Sequence, residues 1–253
     1  HISTGLVTHK FGVPIAEARA IARRADGRPG LAFVGLHVHI GSQMVGLEPI
    51  REAAAAVVEL ARELRDDGVR VEHLDLGGGL GISYDDETVP LVQDYVATLV
   101  EAVRPSGLAL IVEPGRAVAG PAGALLASVV DIKHRLDGTR FVVLDAGMSE
   151  LMRPTLYGAY HRITPLTESN AERVSCDVVG PICESSDVFG IGRMLPLPAI
   201  GDVMAVLDVG AYGSTMSSNY DRHPLPAEVM VDDGKWHVVR RRQTIDDQLA
   251  CEE

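Results

Sequence analysis

Apolar runs alternate with amphipathic stretches along the first half of the chain. Residues 31–40 form an apolar run that ends at Gly41, and this pattern predicts a strand. In residues 48–67 apolar side chains recur every three or four positions, which predicts a helix that ends at Gly68. A second, shorter strand is predicted at 71–76, immediately before three consecutive glycines.

The alternation continues with a helix predicted at 87–103 and a strand predicted at 108–112. Strands that are apolar along their whole length and separated by helices indicate a parallel sheet covered on both faces. Such sheets carry their functional sites at the carboxyl ends of the strands. A closed barrel of this type needs about eight strands, so the predicted strands account for less than half of one.

The second half of the chain has a strand pattern instead. Beyond Pro121 the helical period ends, and strands are predicted at 125–132, 141–144, 174–179, 203–209, 227–231 and 236–239. Asp233-Gly234 supplies a tight hairpin turn between the last two strands. We therefore expect two domains, an α/β domain over residues 1–120 and an all-β domain over residues 121–253.

Composition and charge narrow the class of protein. The chain has 253 residues, is 46% hydrophobic and carries a formal net charge of −12, which disfavours nucleic acid or an anionic membrane as a partner. Its longest stretch without a charged residue or a histidine, 117–130, is too short to span a bilayer. Three cysteines lack the spacing of a disulfide framework or a zinc site. We expect a soluble, cytoplasmic protein without a metal site.

The glycine run after the second strand has two explanations. Gly77, Gly78 and Gly79 could form no more than a tight turn into the next helix. Alternatively, their N–H groups could converge on an anion such as a phosphate, assisted by the dipole of the following helix. The sequence GGGLG lacks the spacing of a dinucleotide-binding fingerprint, so we discount that third possibility.

Charged and aromatic residues follow the other two predicted strands. On the first strand we interpret His37 as a hydrogen-bonded core residue, whereas His39, near Gly41 and Ser42, could equally contact a ligand. After the third strand, Glu113 and Arg116 could form a structural ion pair. A shared ligand with a phosphate and a basic nitrogen would also account for them, because Arg binds anions in bidentate fashion.

The second half contributes three further candidate segments. Arg153 and Tyr157 are four residues apart and would share a helical face, from which both could bind a carboxylate. Cys183-Glu184 follows a Gly-Pro turn and places a thiol and an acid on a loop. Tyr212 stands between small residues and is either functional or an ordinary surface aromatic.

Six segments, in order, carry a resemblance to a known family. They are HVHIGSQ, LDLGGGLGISY, EPGR, DAGM with RPTLYGAYH, GPICES and GAYG. In these segments the chain resembles the pyridoxal 5′-phosphate-dependent decarboxylases of the alanine-racemase fold (fold type III), and among them the diaminopimelate decarboxylases. RPTLY together with CES separates this branch from the ornithine decarboxylases, which it resembles less because they carry Asp after the cysteine.

The resemblance implies a fold class and a missing region. It implies the C-terminal part of a pyridoxal-phosphate-binding (β/α)8 TIM-like barrel, followed by an all-β domain of sandwich or barrel-like form. The family's catalytic lysine, which forms a Schiff base with the cofactor, lies on the first barrel strand, and Lys10, Lys133 and Lys235 do not match it. We therefore expect that an N-terminal region is absent and that this chain alone cannot decarboxylate a substrate.

The resemblance also implies which residues bind the cofactor. Glu113 would bond the pyridine nitrogen and keep it protonated, so that the ring can act as an electron sink. His39 would stack on the face of the ring. The residues that would hold or flank the cofactor phosphate are Ser42, Gly77, Gly78, Gly79, Gly115, Arg116 and Tyr212.

A second set of residues would bind the amino-acid substrate. The resemblance assigns this role to Arg116, Arg153, Tyr157, Glu184 and Tyr212. The two arginines and Tyr157 would bind the distal carboxylate, and Glu184 would bind the distal ammonium. Cys183 would supply the proton that replaces CO2. In this family Cys183 and Glu184 enter the site from the neighbouring subunit, which implies a homodimer with shared sites.

The implied reaction is the decarboxylation of meso-2,6-diaminopimelate to L-lysine and CO2, the last step of lysine synthesis. One alternative is a related decarboxylase that acts on arginine, carboxynorspermidine or a carrier-bound amino acid. Another is a catalytically inactive regulatory homologue. Against the latter, the visible positions that face cofactor and substrate, Cys183 and Glu184 included, keep chemically competent residues.

Overall fold

The computed structural model describes residues 10–252. The contacts between residues divide the chain into two units, the first ending at Ala119 and the second beginning at Gly120. Each unit has its own cluster of buried apolar side chains. None of the helices in the described part of the chain has the length and apolar character that crossing a bilayer requires.

The first unit contains a three-stranded parallel sheet and the helices that connect its strands. Its elements are α1 (Ile15–Asp26), β1 (Gly35–His37), α2 (Glu48–Asp66), β2 (His73–Asp75), α3 (Val92–Val103), β3 (Ala109–Ile111) and α4 (Gly115–Ala119). The sheet has the order β1-β2-β3, with Leu74 opposite both Leu36 and Leu110. The predicted parallel arrangement of strands alternating with helices is thereby confirmed.

Helix α2 forms because its apolar residues lie along one face. Its buried residues are spaced three or four apart and are Ile50, Ala54, Val57, Leu60, Ala61 and Leu64. They share one core cluster with Leu74 of β2 and with Leu99 and Val103 of α3. Full burial of a side chain of this size contributes roughly 1.5–3 kcal/mol, so this face attaches α2 to the rest of the unit.

Helix α1 was not predicted, and Ala22 is its one buried residue. Ala18 and Ala22 pack in the core of the unit, and charges add to this attachment: Arg19 and Arg23 both form ion pairs with Asp67, just beyond the end of α2. Hydrogen bonds from Arg19 and then Arg23 lower the pKa of Asp67 to about 2. Ion pairs of this kind leave no hydrophobic period in the sequence.

Helix α3 begins later than the prediction of residue 87. The Glu87 carboxylate accepts the backbone N–H groups of Asp85 at 2.6 Å and Tyr84 at 3.0 Å, and these bonds lower its pKa. A residue whose side chain closes a turn in this way is held outside a helix. Pro90 follows before the first helical residue, Val92.

The second unit is built around a six-stranded sheet. Its strands are β4 (Leu125–His134), β5 (Arg140–Leu144), β6 (Ile163–Pro165), β7 (Arg173–Val179), β8 (Val188–Pro196) and β9 (Val203–Val206). The order is β6-β9-β4-β5-β7-β8, and only β5 and β7 are parallel neighbours. Its core includes Val142 and Leu144 of β5, Val178 of β7 and Met204 of β9.

The parallel pairing of β5 with β7 requires a long connection, because a short turn can join only antiparallel neighbours. Residues 145–172 form this connection and carry α5 (Arg153–Tyr157) as well as β6. Strand β6 pairs with β9, which lies on the other side of β4 from β5. The connection therefore passes across the sheet before it returns to β7.

The remaining elements are a hairpin of β10 (Glu228–Asp232) and β11 (Lys235–Arg240) and a helix, α6 (Ile245–Leu249). Asp233 and Gly234 both have positive φ, 47° and 72°, which confirms the predicted hairpin turn. Strands β6 and β8 were not predicted, because β6 is only three residues long and β8 contains two glycines and an arginine. The strand-rich second half is confirmed, although it also contains short helices.

Replacing Leu74 with alanine should destabilise the first unit by about 2–5 kcal/mol, because the side chain is fully buried at the centre of the parallel sheet. The free energy of unfolding from urea titration followed by circular dichroism would measure the loss. Leu31→Ala is the matched control, since that leucine is exposed. Equal stability of the two variants would contradict the assignment of Leu74 to the core.

Candidate active site

The segments that follow β1, β2 and β3 lie against one another at the carboxyl edge of the parallel sheet. Gly78 donates its N–H to Nδ1 of His39 at 3.2 Å. The N–H of Glu113 donates to the carbonyl oxygen of Gly77 at 2.7 Å, and the N–H of Met44 donates to that of Gly79 at 2.8 Å. The three candidate segments of the first half are thus brought together.

The glycines after β2 are required by the closeness of this packing. A Cβ atom at Gly78 would overlap the carbonyl oxygen of Glu113, and one at Gly77 would lie 2.6 Å from the carbonyl oxygen of Val38. Gly77 also has a φ of +65°, a conformation that favours glycine. Both positions therefore need glycine whatever ligand is bound.

The second explanation of the glycine run, in which all three N–H groups converge on an anion, does not hold for Gly77 and Gly78 in this structure. Gly77 donates its N–H to Oδ1 of Asp75 at 2.9 Å, and Gly78 donates to the ring of His39. Side-chain acceptors from β2 and from the segment after β1 have taken these donors. This could not be foreseen, because the acceptors depend on how the strands are aligned.

The half-buried ring of His39 has a defined hydrogen-bonding state. Because the N–H of Gly78 is a donor, Nδ1 of His39 must accept, and a neutral ring then carries its proton on Nε2. This bond also restricts rotation of the ring. His39 is therefore held in one orientation beside the glycine run.

His37 is not the core residue that the sequence predicted. Strand β1 ends at His37, its side chain is 55% exposed, and its Nε2 lies 3.3 Å from Oε2 of Glu113. Asp75, at the end of β2, completes a group of three side chains. One ring nitrogen or carboxylate oxygen from each lies within 4.8 Å of those from the other two. Two carboxylates this close repel each other and favour a cationic neighbour, such as a protonated nitrogen.

Arg116, at the start of α4, is 5% exposed and bound to two hydroxyl groups. Its Nε and Nη2 donate to Oγ of Ser42 at 3.3 and 3.0 Å, and its Nη1 donates to the hydroxyl of Tyr84 at 2.6 Å. Tyr84 was not predicted as a site residue, although it ends the segment LDLGGGLGISY. A buried guanidinium that hydroxyl groups orient in this way suits the recognition of an anion.

Gly115 lies between Glu113 and Arg116 in the segment that follows β3. Its N–H donates to the carbonyl oxygen of Glu113 at 2.8 Å, and a Cβ there would have no neighbour within 4 Å. Glu113 and Arg116 therefore have other partners in the structure, His37 for the acid and two hydroxyls for the base. The edge presents an acidic group and a basic group on one segment of chain.

In the second unit, Arg153 and Tyr157 lie on α5, as the spacing predicted. Their surroundings differ, because Arg153 is buried and Tyr157 is 44% exposed. Nη1 of Arg153 lies 2.9 Å from Nε2 of His161, a residue that the sequence analysis did not select. Thr155 lies between Arg153 and Tyr157 on α5. It donates its hydroxyl to the carbonyl oxygen of Ser186 at 2.7 Å and so ties α5 to the loop that carries the GPICES segment.

Asp187 holds the loop that carries Cys183 and Glu184. The Asp187 side chain is 4% exposed, and it accepts the N–H groups of Met148 at 2.7 Å and Ile182 at 2.8 Å. Burial raises its pKa, while the two N–H bonds act in the opposite direction. Cys183 and Glu184, a few residues before it, remain exposed.

Two tyrosines of the second unit, Tyr220 and Tyr212, have features that bear on the candidate residues. The hydroxyl of Tyr220 donates to Oε2 of Glu184 at 3.4 Å, and the charge of Glu184 raises the pKa of Tyr220. Tyr212 is exposed and has a φ of +61°, a strained conformation for a residue with a side chain. Strain of this kind often marks a functional position.

Comparison with known proteins identifies the family. Residues 26–210 match the family model described as pyridoxal-dependent decarboxylase, C-terminal sheet domain. The chain belongs to this decarboxylase family. The predicted resemblance is thereby confirmed, and the family is pyridoxal-dependent.

Individual decarboxylases of the family are similar along the whole chain. The diaminopimelate decarboxylase of Neisseria meningitidis serogroup A is 42% identical over 252 residues, covering 100% of this chain and 62% of that protein. The enzyme of the same name from Vibrio cholerae is 43% identical over 253 residues, covering 100% and 60%. The chain thus spans about three fifths of the length of the curated relatives it matches.

A solved structure of the family has the same fold. The diaminopimelate decarboxylase from Helicobacter pylori, complexed with L-lysine, superposes with a TM-score of 0.93 at 40% sequence identity. The match covers 98% of this chain and 62% of that one. The predicted fold type III class is confirmed by this likeness.

The residues of the sheet edge fit the cofactor of the decarboxylase family. Buried Arg116 with its two hydroxyl partners suits a phosphate, and exposed Glu113 suits a protonated ring nitrogen. The fixed ring of His39 offers an aromatic face beside them. The three lysines of the sequence lie elsewhere, at Lys10 before α1, Lys133 in β4 and Lys235 in β11.

Gly78→Ala should destabilise the first unit by about 1–3 kcal/mol, because the added Cβ overlaps the backbone of Glu113 and neither segment can move independently. Gly46→Ala is the control, since a Cβ at Gly46 meets no atom within 4 Å. Urea unfolding of both variants would measure the difference. Indistinguishable stabilities would mean that the two segments do not pack as described.

The stability contributed by Asp187 should fall as the pH rises. Its pKa in the folded protein is raised above the ordinary value of 3.8, so the folded state binds the proton more tightly than the unfolded state. Stability is then lost as the pH rises from 3.8 through the raised pKa. Asp187→Asn should remove this decrease of the unfolding free energy with rising pH. Urea titrations between about pH 3.5 and 7 would measure it.

The matched control is Asp177→Asn. Its carboxylate accepts the N–H of Gly192 at 2.8 Å in the same unit. Asp177 is only half-buried, so this variant controls for the loss of a carboxylate that accepts a backbone N–H. Parallel pH profiles for the unchanged protein and Asp187→Asn would show that burial does not govern Asp187.

Proposed function

We propose that this chain forms the cofactor- and substrate-binding part of an enzyme that decarboxylates meso-2,6-diaminopimelate to L-lysine and CO2. The main support is the arrangement at the sheet edge, where buried Arg116 bound to hydroxyls stands on the same short segment as exposed Glu113. The names of the relatives give further support, since those about 40% identical are diaminopimelate decarboxylases. A solved relative is complexed with L-lysine.

Pyridoxal phosphate, when bound, supplies the electron-withdrawing ring that decarboxylation of an amino acid requires. Glu113 bonds to the ring nitrogen and, as an ionised acid, favours its protonated form. His37 and Asp75 lie close enough to influence that carboxylate. His39 packs against the face of the ring, in the orientation that Gly78 fixes.

Arg116, Ser42 and Tyr84 bind the phosphate end of the cofactor. The guanidinium supplies charge, and the hydroxyls hold it in place and can rotate to donate to phosphate oxygens. Gly79 and Gly115 permit the close approach of backbone to this group, and Tyr212 contributes its phenol. Gly77 and Gly78 act indirectly, by holding Asp75 and His39.

Residues of the second unit bind the substrate and deliver a proton. Arg153 and Tyr157 bind the distal carboxylate, which an Arg side chain recognises in bidentate fashion. Glu184 binds the distal ammonium, and Tyr220 orients it. The Cys183 thiol donates a proton to the carbon that has lost CO2, a role that requires an accessible thiol such as this one.

Two parts of the proposal concern the whole enzyme. The lysine that carries the cofactor belongs to a part of the enzyme outside this sequence, because Lys10, Lys133 and Lys235 are not on the parallel sheet. The enzyme is a homodimer in which the exposed loop with Cys183 and Glu184 serves the cofactor of the partner subunit. The chain alone is then inactive.

In the complete enzyme, Cys183→Ala should lower the rate of lysine release from meso-2,6-diaminopimelate by roughly 10²-fold or more, because a general acid is lost. Cys251→Ala is the control, since that thiol is also exposed but plays no part in the proposal. Lysine would be quantified by chromatography. The substrate assignment fails if the unchanged enzyme, loaded with pyridoxal phosphate, releases no lysine.

A further inference from the structure

We infer that His161 positions the guanidinium of Arg153 and thereby sets the preference of the enzyme for ligands with a distal carboxylate. The inference rests on the proposed function, in which Arg153 binds that carboxylate. His161 itself is 0% exposed, so it acts on Arg153 rather than on the substrate. It is a positioning residue, not a catalytic one.

The partners of His161 determine its protonation state. Nδ1 lies 2.9 Å from the carbonyl oxygen of Leu207, and Nε2 lies 2.9 Å from Nη1 of Arg153. A carbonyl oxygen can only accept, so Nδ1 carries a proton; a guanidinium can only donate, so Nε2 carries a lone pair. The ring is therefore neutral and in a single tautomer.

Leu207, whose carbonyl oxygen lies against the His161 ring, is itself held in place by its own N–H and by the next residue, Asp208. The N–H of Leu207 donates to the carbonyl oxygen of Arg162 at 2.8 Å, which extends the pairing of β6 with β9. Arg162 also binds Asp208 through two nitrogens, with Nε 3.0 Å from Oδ2 and Nη2 2.9 Å from Oδ1. The imidazole is thus a rigid link between β9 and α5.

This link has a consequence for ligand binding. A long Arg side chain loses rotational freedom when it binds a carboxylate, and a side chain already fixed loses less. His161 should therefore strengthen the binding of a carboxylate-bearing ligand and have little effect on a diamine.

The test compares two ligands of the complete, pyridoxal-phosphate-loaded enzyme by calorimetry. L-lysine has a carboxylate and 1,5-diaminopentane does not. His161→Leu removes the acceptor for Arg153 and should weaken L-lysine binding about tenfold, with the diamine affinity unchanged. KM for meso-2,6-diaminopimelate should rise by a similar factor while kcat changes little.

Two further variants keep the test valid if His161→Leu does not fold. His161→Gln retains an acceptor for Arg153, so it should preserve part of the preference for L-lysine. In a background of Arg153→Met, the same His161→Gln change should no longer alter the ratio of the two affinities, because its partner is absent. His134→Gln, an exposed histidine of the same unit, is the matched control.

Two results would overturn the inference alone. One is an unchanged ratio of L-lysine to diamine affinity in the His161 variants, and the other is an equal loss of both affinities. In either case the unchanged enzyme would still decarboxylate meso-2,6-diaminopimelate, and the proposed function would stand. If the unchanged enzyme neither binds L-lysine nor decarboxylates the substrate, the proposed function fails and the inference fails with it.

Discussion

The close packing of backbone at the carboxyl edge of the parallel sheet is the constraint on which the candidate site depends. Past β2 the chain runs so near to Val38 and Glu113 that only glycine fits at positions 77 and 78. This closeness allows main-chain groups to hold His39 and Glu113 directly. The ring of His39 and the backbone of Glu113 are thereby held in place before any ligand arrives, as an efficient site requires.

In the second unit, buried polar side chains rather than close backbone packing hold the candidate residues in position. Its candidate residues follow mostly antiparallel strands, which do not gather their carboxyl ends at one edge. Asp187 fixes the loop of Cys183 through two backbone N–H groups, and His161 fixes Arg153. Burying such groups is costly unless their hydrogen bonds are made, and in both cases they are.

The sequence predicted those parts of the fold that a continuous apolar run or a regular apolar period marks. The parallel sheet, helix α2 and most strands of the second unit belong to this class. Neither helix α1, which ion pairs with Asp67 help to attach, nor β8, whose glycines interrupt the alternation, was predicted. His37 was misjudged because β1 is much shorter than its apolar run, so the residue lies at the exposed edge.

The sequence pattern selected most candidate residues and the resemblance to a family assigned their roles, but neither selected the residues that support them. Tyr84 is 32 residues from Arg116, and His161 is 46 residues from Leu207. Contacts over such separations exist only once strands are paired and aligned. No local spacing in the sequence signals them.

The crossover between β5 and β7 determines when, during folding, Arg153 and His161 come together. Residues 145–172 separate the two parallel strands, so a large loop must close before the strands can pair. Closing this loop costs chain entropy, which only the contacts of the completed pair offset. Such pairings form slowly compared with local hairpins such as β10–β11. Arg153 and His161 lie within this loop, so we expect both to acquire their final arrangement late, together with the strand pairing that encloses them.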